Sequence, residues 1–289
     1  MGIGRLYVVA TPIGNLEDIS ARALRILAEV GLIIAEDTRT SAKLLRHYGI
    51  DTPMRSCHEH NERRIAGELV AMLHAGTDLA LISDAGTPLV SDPGFDLVRS
   101  AHDAGVEVIA IPGPCAVVAA LSVAGLPTDR FAFEGFLPAA AAARRRRLSE
   151  LVSEPRTLVF LEAPHRIAAV IADMAAVLGK ERLAALAREL TKIHETVVRL
   201  PLAELAAAVA GDDDNQRGEM VICVAGSEVR IPVAVEGLRV ARLLRQYLNP
   251  GQAAAAASEI TGVGRNELYR ALMASKAPSD DDSPPAGEC

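Results

Sequence analysis

Charged side chains follow several apolar runs of this 289-residue chain. Three such segments are 36–39 (EDTR), 162–166 (EAPHR) and 188–192 (RELTK). Carboxylates beside an arginine, lysine or histidine can position a substrate or transfer a proton, so each segment is a candidate for acid–base chemistry. The alternative for each is a solvated loop, or a helix N-terminus with a local ion pair.

Segment 83–88 (SDAGTP) is a candidate site of a different kind, a sharp turn with one carboxylate, that of Asp84. Its backbone amides and carbonyls suit a cofactor with a zwitterionic or sulfonium end and ribose hydroxyls better than a pyrophosphate. No Walker loop or GxGxxG follows a strand-like run, which disfavours a site for nucleotide phosphates. The structural alternative is that Asp84 only satisfies amides of the turn.

Two more segments carry possible ligands. His58 and His60 would share a face on a strand, but no third metal ligand is apparent and no metal is predicted. The run 144–147 consists of four arginines, whose guanidinium forks match phosphate oxygens. The run could therefore contact phosphates, although a run of four arginines is more often the solvated start of a helix.

The elements that must position these segments alternate along the chain. Runs 6–9, 79–82 and 106–111 each end in a turn rich in glycine or proline, and each turn precedes a segment with a helical pattern. Repeated strand, turn and helix predict an α/β fold with an open parallel sheet. Because ligands bind outside the carboxyl ends of such strands, the turns predict a binding site.

Capping residues set the predicted helix boundaries in the first half. Ser20 and Asn61 are predicted to cap helices over 21–30 and 62–75, and Asp92 to cap a helix that begins at Pro93. Further helices are predicted over 41–48 and 115–124. Residues 131–138 are predicted to form an extended connector.

The second half divides into further parts. Strands over 157–161, 196–200 and 220–225, with helices over 166–178 and 202–210, predict a second α/β domain. The predicted domains are residues 1–128, residues 129–230, a small helical module resembling a helix-turn-helix at 236–276, and a disordered acidic tail at 277–289.

Composition limits the class of protein. Half of the residues are hydrophobic, which indicates a globular chain, and the net charge of −7 gives no whole-protein attraction to nucleic acid, DNA included, or to acidic membranes, although a local basic patch is compatible with it. The four cysteines are far apart, and no signal peptide is apparent. These features predict a cytoplasmic protein.

Nine segments, in order along the chain, resemble one family. They are LYVVATPIGNLEDIS, AEDTRTS, HEHNE, LISDAGTPLVSDPG, IPGPCA, RFAFEGFLP, RTLVFLEAPHRI, ARELTK and GEMVICV. They are similar to the ribosomal RNA small subunit methyltransferase I family, a branch of the tetrapyrrole-methylase-type enzymes that use S-adenosylmethionine (SAM). The resemblance covers about residues 6–225 and extends weakly into 260–272 (ITGVGRNELYRAL).

The resemblance implies two α/β domains of tetrapyrrole-methylase type with SAM in the cleft between them, in a cytoplasmic homodimer. It implies methylation of the ribose 2′-hydroxyl of cytidine 1402, in the standard rRNA numbering, in the decoding region of 16S rRNA within the small ribosomal subunit. Two alternatives stay open. They are a methyltransferase of small tetrapyrroles and a ribosome assembly factor without catalytic activity.

The resemblance also implies site residues. The cofactor pocket would fall on Pro12, Gly14, Ser83, Asp84, Ala85, Gly86, Cys115, Ala116, Leu137, Pro138, Ala163 and Met220. The candidate proton acceptors are Glu36, Asp37, Glu162 and Glu189, and the residues that would hold phosphates or the ribose are Arg39, His165, Arg188 and Lys192. The candidate RNA contacts are Arg144, Arg145, Arg146 and Arg147.

Overall fold

The computed structural model describes residues 2–58, 61–227 and 233–274. The chain divides into two compact units, Met1–Gly226 and Ser227–Cys289, and each is described by itself. Among the described residues, no helix combines the length and apolar character needed to cross a membrane.

The first sheet is fully parallel, as the alternation of strands, turns and helices predicts. Its strands are β1 (Leu6–Val9), β2 (Leu32–Ala35), β3 (Met54–Ser56), β4 (Leu79–Ile82) and β5 (Val108–Ile111), in the order β3-β2-β4-β1-β5. Its helices are α1 (Ala21–Glu29), α2 (Thr38–His47), α3 (Glu62–His74), α4 (Phe95–Asp103) and α5 (Ala116–Val123). Because β4, β1 and β5 are neighbours, the turns that follow them meet at one edge.

Of the three predicted caps, only that of Ser20 agrees with the structure, since Ser20 accepts a hydrogen bond from the amide of Ala23 in α1. Helix α3 begins directly after Asn61, as predicted, but the Asn61 side chain makes no capping hydrogen bond and bonds instead to the amide of His58 and the carbonyl of Ser56. Asp92 does not cap α4, which begins only at Phe95, after Gly94. The carboxylate of Glu62 on α3 instead accepts the amide of Leu97, at 3.0 Å, so the cap comes from a neighbouring helix.

The second sheet is mixed. Its strands are β6 (Phe131–Phe136), β7 (Thr157–Glu162), β8 (Leu183–Arg188), β9 (Thr196–Pro201) and β10 (Met220–Val224), in the order β6-β7-β10-β8-β9. Only the β6–β7 pair is parallel. Its helices are α6 (Ala141–Glu150), α7 (Ile167–Leu178) and α8 (Leu202–Ala210).

Residues 131–136 form an edge strand, so the prediction of a connector was wrong. The strand pairs with β7 on one side, and its register shifts between Phe133 and Gly135. Gly135 has a φ of 64°, a left-handed conformation that glycine tolerates. Because the strand has a bulge and pairs on one side only, its sequence does not show the pattern of a regular strand.

An apolar core joins the two sheets. Its buried members from the first half are Ile13, Val117, Ala120, Leu121, Ala124 and Leu126, and those from the second are Val159, Ala185, Ala187, Leu190, Val221 and Cys223. Helix α5 thus packs on the face of the second sheet that α6, α7 and α8 leave uncovered. Burial of this apolar surface holds the two halves together.

The C-terminal unit is a bundle of three helices, α9 (Val233–Leu244), α10 (Pro250–Thr261) and α11 (Arg265–Ala274). Ala253, Ala254 and Ala257 of α10 are fully buried, since small side chains allow close approach of the helices. Gly262 ends α10 in the left-handed conformation, with a φ of 74°. The predicted tail, 277–289, lies outside the described residues.

Candidate functional site

Hydrogen bonds fasten the turns after β1, β4 and β5 into a single rim. Thr11 and Gly86 exchange backbone hydrogen bonds of 2.8 and 3.1 Å, which join the first two turns. The hydroxyl of Thr87 donates to the carbonyl of Pro114, at 3.0 Å, which joins the third. The rim is therefore preorganised by backbone geometry.

A cavity of about 410 Å³ lies between this rim and the second sheet. Its walls from the first half are Ile13, Ala85, Gly86, Thr87, Val90, Ser91, Asp92, Cys115, Ala116 and Val117. Its walls from the second half are Phe136, Leu161, Glu162, Ala163, Pro164, Ala187, Leu190, Glu219, Met220 and Val221. Mostly apolar walls with a few polar groups are typical of small-molecule sites.

The charged groups of the cavity wall have one sign. Asp92, Glu162 and Glu219 line it, and no lysine, arginine or histidine is among the lining residues that the structure describes. Coulomb interactions in such a cavity favour a ligand that carries a positive charge and disfavour a polyphosphate.

The structure brings half of the implied cofactor residues to the cavity. Those that line it are Ala85, Gly86, Cys115, Ala116, Ala163 and Met220. Those that do not line it are Pro12, Gly14, Ser83, Asp84, Leu137 and Pro138. Of these, Pro12 is buried in the first turn, and Gly14 packs against Lys192 outside the cavity.

Asp84 is exposed and has a structural contact. Its Oδ1 accepts the backbone amide of Asp37, at 3.0 Å, and so joins the turn after β4 to the turn after β2. This geometry fits the structural alternative for Asp84 better than contact with a ligand in the cavity. Ser83 is buried, and its hydroxyl donates to the carbonyls of Ala85 and Gly86, both at 3.4 Å.

Leu137 and Pro138 do not line the cavity, but Arg166 links their carbonyls to a residue that does. The guanidinium of Arg166 donates to the carbonyls of Leu137, at 2.6 Å, and Pro138, at 3.3 Å. Its Nη2 also lies 3.2 Å from Oε2 of Glu162, a buried carboxylate that lines the cavity. Glu162 therefore combines a place in the wall with an ion pair behind it.

Of the catalytic candidates chosen from the sequence, only Glu162 is among the described residues that line the cavity. Asp37 caps α2 and pairs with Arg39, whose hydrogen bonds lower the pKa of Asp37 to about 2. The Arg39 side chain is 89% exposed. Glu36 is not among the lining residues; burial raises its pKa, a hydrogen bond from the Asp84 backbone opposes the rise, and the charges of Asp84 and Asp37 add to it.

The remaining candidates lie around the cavity. His165 is exposed in the turn after β7, and Arg188 donates to the hydroxyl of Thr196, at 3.1 Å. Both residues occur at strand ends, as the sequence indicates, but their side chains stay outside the described cavity wall.

Glu189 and Lys192 form an ion pair at the edge of the cavity. Lys192 Nζ lies 2.8 Å from Glu189 Oε1 and 3.3 Å from Oε2 of Glu219. Burial opposes ionisation of Glu189, but hydrogen bonds from Lys192 and from the Glu219 amide hold its pKa below the usual value. This arrangement suits positioning of Glu219 and the wall better than acceptance of a proton.

Sequence reasoning missed Asp92 as a site residue. Burial raises the pKa of Asp92 to about 6, a hydrogen bond from Ser83 opposes the rise, and the charges of Glu36 and Asp84 add to it. The signal available in the sequence was its place in LISDAGTPLVSDPG, but the following proline made it resemble a helix cap. Apolar wall residues such as Phe136 carried no separate signal.

The arginine run is mostly occupied within the protein. Arg144 is only 5% exposed and pairs with Asp173, which also accepts from Arg145. Arg147 pairs with Glu134 and Glu150. Because Arg144 is buried, it cannot reach a phosphate, and the structure argues against the prediction that Arg144 contacts RNA. The prediction narrows to Arg145, Arg146 and Arg147.

The histidine-rich segment adds no ligand set. Glu59 and His60 lie outside the described residues, and His58 is described without them. Within the described ranges, no group of three or more histidine, cysteine, aspartate or glutamate residues is arranged to hold a metal ion.

Two family models match the chain. That of tetrapyrrole (corrin/porphyrin) methylases matches residues 5–206, and that of the RsmI C-terminal HTH domain matches residues 232–276. A solved structure, uroporphyrin-III C-methyl transferase from Thermus thermophilus complexed with S-adenyl homocysteine, has a TM-score of 0.52 at 20% identity. The match covers 79% of this chain and 100% of that one. At that identity the likeness shows the fold alone.

Curated relatives are far closer in sequence. "Ribosomal RNA small subunit methyltransferase I" of Pseudomonas aeruginosa is 58% identical over 94% of this chain and 98% of its own length. The protein of the same name in Escherichia coli O157:H7 is 49% identical over 92% of this chain and 94% of its own length. The chain therefore belongs to the ribosomal RNA small subunit methyltransferase I family, within the tetrapyrrole methylases.

Proposed function

We propose that this chain uses SAM to methylate the ribose 2′-hydroxyl of cytidine 1402 in 16S rRNA, within the small ribosomal subunit and in the cytoplasm. The observation that carries the proposal is the cavity between the two sheets, with three carboxylates and no basic side chain among its described lining residues. The names of the curated relatives support the RNA substrate.

The residues of the cavity fit SAM. SAM supplies a methyl group made electrophilic by a sulfonium cation, which the carboxylates of Asp92, Glu162 and Glu219 would stabilise. Gly86 lets the backbone of the rim approach a ligand closely, since it has no side chain and a φ of 85°. The apolar walls from α5 and β10 exclude water.

A ribose hydroxyl must lose its proton as it is methylated, and a positioned acceptor contributes about 10²–10⁴-fold to such a step. The cavity offers three carboxylates for this role. Glu162 has Arg166 as its ion partner, and Glu219 has Lys192. The rim and α5 would hold the acceptor oxygen and the methyl group in line, which supplies orientation.

The basic face of α2 is a candidate RNA contact beside the cavity. It comprises Arg39, Lys43, Arg46 and His47, all exposed, on a helix without an acidic residue. The first three recur at helical spacing and span about 10 Å along the axis, at 1.5 Å per residue. In a chain with a net charge of −7, this face complements a polyanion.

The basic face of α2 leads to an open groove of about 610 Å³. His47, segment 14–17 and segment 191–194 line this groove. It adjoins the cavity, because Ile13 and Leu190 line the cavity and the next residue of each segment lines the groove. Single-stranded rRNA along α2 and this groove would place a nucleotide at the cavity mouth.

A Lys43→Ala/Arg46→Ala variant tests this surface. Neither cation forms an ion pair within the described part of the chain, so both are available to phosphates. Loss of two contacts to a single strand should lower the slope of log K against log salt by about 1.4. The ratio of the wild-type association constant to that of the variant should then fall roughly sevenfold between about 50 and 200 mM salt.

Filter binding of unmethylated small subunits measures this slope. Arg5→Ala/Lys180→Ala is the matched control, because both residues precede strands at the ends opposite the cavity. The control should keep the wild-type slope. An unchanged slope in the α2 variant would remove its basic face as the RNA contact, and an Arg145→Ala/Arg146→Ala variant would then test the arginine run.

A homodimer is part of the proposal. Phe131 and Phe136 are exposed on β6, an edge strand of the second sheet, and Val118 and Val123 are exposed on α5. Exposed apolar side chains and an unpaired strand edge are each typical of association surfaces. Sedimentation of the purified chain measures its oligomeric state.

Mass spectrometry of rRNA from cells that lack the gene tests the proposed function. Loss of one 2′-O-methyl group at cytidine 1402 is the expected result, with restoration by the wild-type gene. Altered subunit profiles with methylation intact would instead support an assembly factor. Unchanged rRNA with altered tetrapyrroles would support a small-molecule methyltransferase.

A further inference from the structure

Asp92 has a carboxylate without the structural role that its sequence context predicts. It precedes Pro93, as helix-capping residues often do, yet Glu62 caps α4. Asp92 instead lines the cavity, half-buried, beside Ser91. A carboxylate that caps no helix and belongs to a residue of the cavity wall is available for chemistry.

The segment that carries Asp92 is held in uncommon backbone conformations. Leu89 and Ser91 have φ values of 72° and 66°, and Gly94 has a φ of 124°. Such positions in residues other than glycine cost on the order of 1–3 kcal/mol each and persist where the surrounding structure enforces them. The turn between β4 and α4 therefore has a cost in stability, and Asp92 lies within it as a residue of the cavity wall.

The surroundings of Asp92 differ from those of the other two wall carboxylates. Glu162 lies beside Arg166 and Glu219 beside Lys192, whereas no basic side chain pairs with Asp92 among the described residues. The groups that face it are Ser83, Glu36 and Asp84. Burial and the two acidic neighbours raise the pKa of Asp92 to about 6, close to the pH at which a base must work.

We propose that Asp92 is a catalytic residue, the acceptor of the proton that the ribose 2′-hydroxyl loses. This inference rests on the proposed function. The hydroxyl oxygen forms a bond to the methyl carbon as the methyl–sulfur bond breaks, and the electron pair of that bond stays on sulfur. The hydroxyl proton moves to the Asp92 carboxylate and later leaves to water.

An Asp92→Asn variant should lower the single-turnover rate constant for methylation of small subunits by about 10²–10⁴-fold. The amide keeps the size of the side chain but cannot take the proton. The wild-type rate should rise as the pH passes through about 6, since only the ionised carboxylate accepts a proton. This acidic limb of the pH–rate profile should be absent in the variant. Asp103→Asn, at the exposed end of α4, is the matched control and should keep the limb.

A stability measurement supplies a readout that is independent of activity. The carboxyl of Asp92 binds its proton more tightly in the folded chain than at the ordinary value of 3.8, so its ionisation opposes folding. Between about pH 4 and pH 6, the wild type should therefore lose stability relative to Asp92→Asn as the pH rises. Urea unfolding of both proteins across this range measures the difference.

The outcomes separate the two proposals. If the wild type methylates small subunits and Asp92→Asn matches its rate and pH profile, Asp92 is not the proton acceptor. A slower variant that retains the acidic limb would assign Asp92 a positioning role and also overturn the inference. If the wild type transfers no methyl group to small subunits, the proposed function itself fails, whatever the unfolding curves show.

Discussion

A Gly86→Val variant is expected to weaken SAM binding by about 10- to 100-fold, because strain of about 1–3 kcal/mol at this residue would be relieved by movement of the rim of the cavity. Gly86 has a φ of 85°, a region that a β-branched residue avoids, and it exchanges two backbone hydrogen bonds with Thr11. An added Cβ would lie 3.3 Å from Cγ2 of Ile13, another residue of the wall. Titration calorimetry with SAM measures the loss.

A Gly105→Val variant is the control that distinguishes damage to the cavity from the general effect of backbone strain. Gly105 has a φ of 70°, but its Cβ position is open, and it lies after α4 at the end opposite the rim. The control should lose stability, by about 1–3 kcal/mol, yet bind SAM as the wild type does. Wild-type affinity in a folded Gly86→Val protein would show that the cofactor lies elsewhere.

Asp84→Ala provides a graded comparison at the same turn. Its carboxylate is exposed and bonds the Asp37 amide, outside the described cavity wall. Its removal should therefore weaken SAM binding less than Gly86→Val, and only through movement of the turn.

A Glu162→Gln variant is expected to weaken SAM binding by about tenfold or more. The side chain is buried in the wall, and loss of its charge would leave the Arg166 guanidinium beside the cavity without its counter-ion. Both changes disfavour a sulfonium cation. S-adenosylhomocysteine has a neutral sulfur, so its affinity should fall much less.

The ratio of the two affinities makes this test specific. General damage to the cavity would weaken SAM and S-adenosylhomocysteine alike, whereas loss of charge complementarity weakens mainly SAM. Glu181→Gln, an exposed residue before β8, is the control and should bind both as the wild type does. Equal losses for the two ligands in Glu162→Gln would argue against an electrostatic role.

Much of the fold can be predicted because local signals and tertiary structure agree. The strands β1, β2 and β4 coincide with short apolar runs, and α1 follows its Ser20 cap. The turns after β1, β4 and β5 meet because parallel strands carry their carboxyl ends to one edge. The spacing of the three motifs therefore predicts the rim.

The parts that could not be predicted depend on partners distant in sequence. From the sequence, Asp92 resembles a helix cap, but in the structure Glu62 on α3 makes that hydrogen bond. From the sequence, Arg144 resembles a solvated cation, but in the structure it is buried and pairs with Asp173 on α7. The sequence shows the side chain in each case, and only packing shows which partner it meets.

That SDAGTP is a cofactor turn stays a prediction, and the structure places only part of the segment at the cavity. Ala85 and Gly86 line the cavity, while Asp84 points to the neighbouring turn. Backbone positions can be inferred from a turn motif, because the turn fixes them. The direction of a side chain depends on the next loop, which the motif does not contain.

Transfer of labelled methyl from SAM to purified, unmethylated small subunits tests the central claim most directly. After single-turnover reaction and complete digestion of the rRNA, the nucleoside that carries the label identifies the acceptor atom. The proposed function predicts label in 2′-O-methylcytidine with the wild type, and the proposed role of Asp92 predicts transfer slowed by about 10²–10⁴-fold with Asp92→Asn. Label on a base atom, or no label in RNA with an active wild-type preparation that binds SAM, would contradict the account.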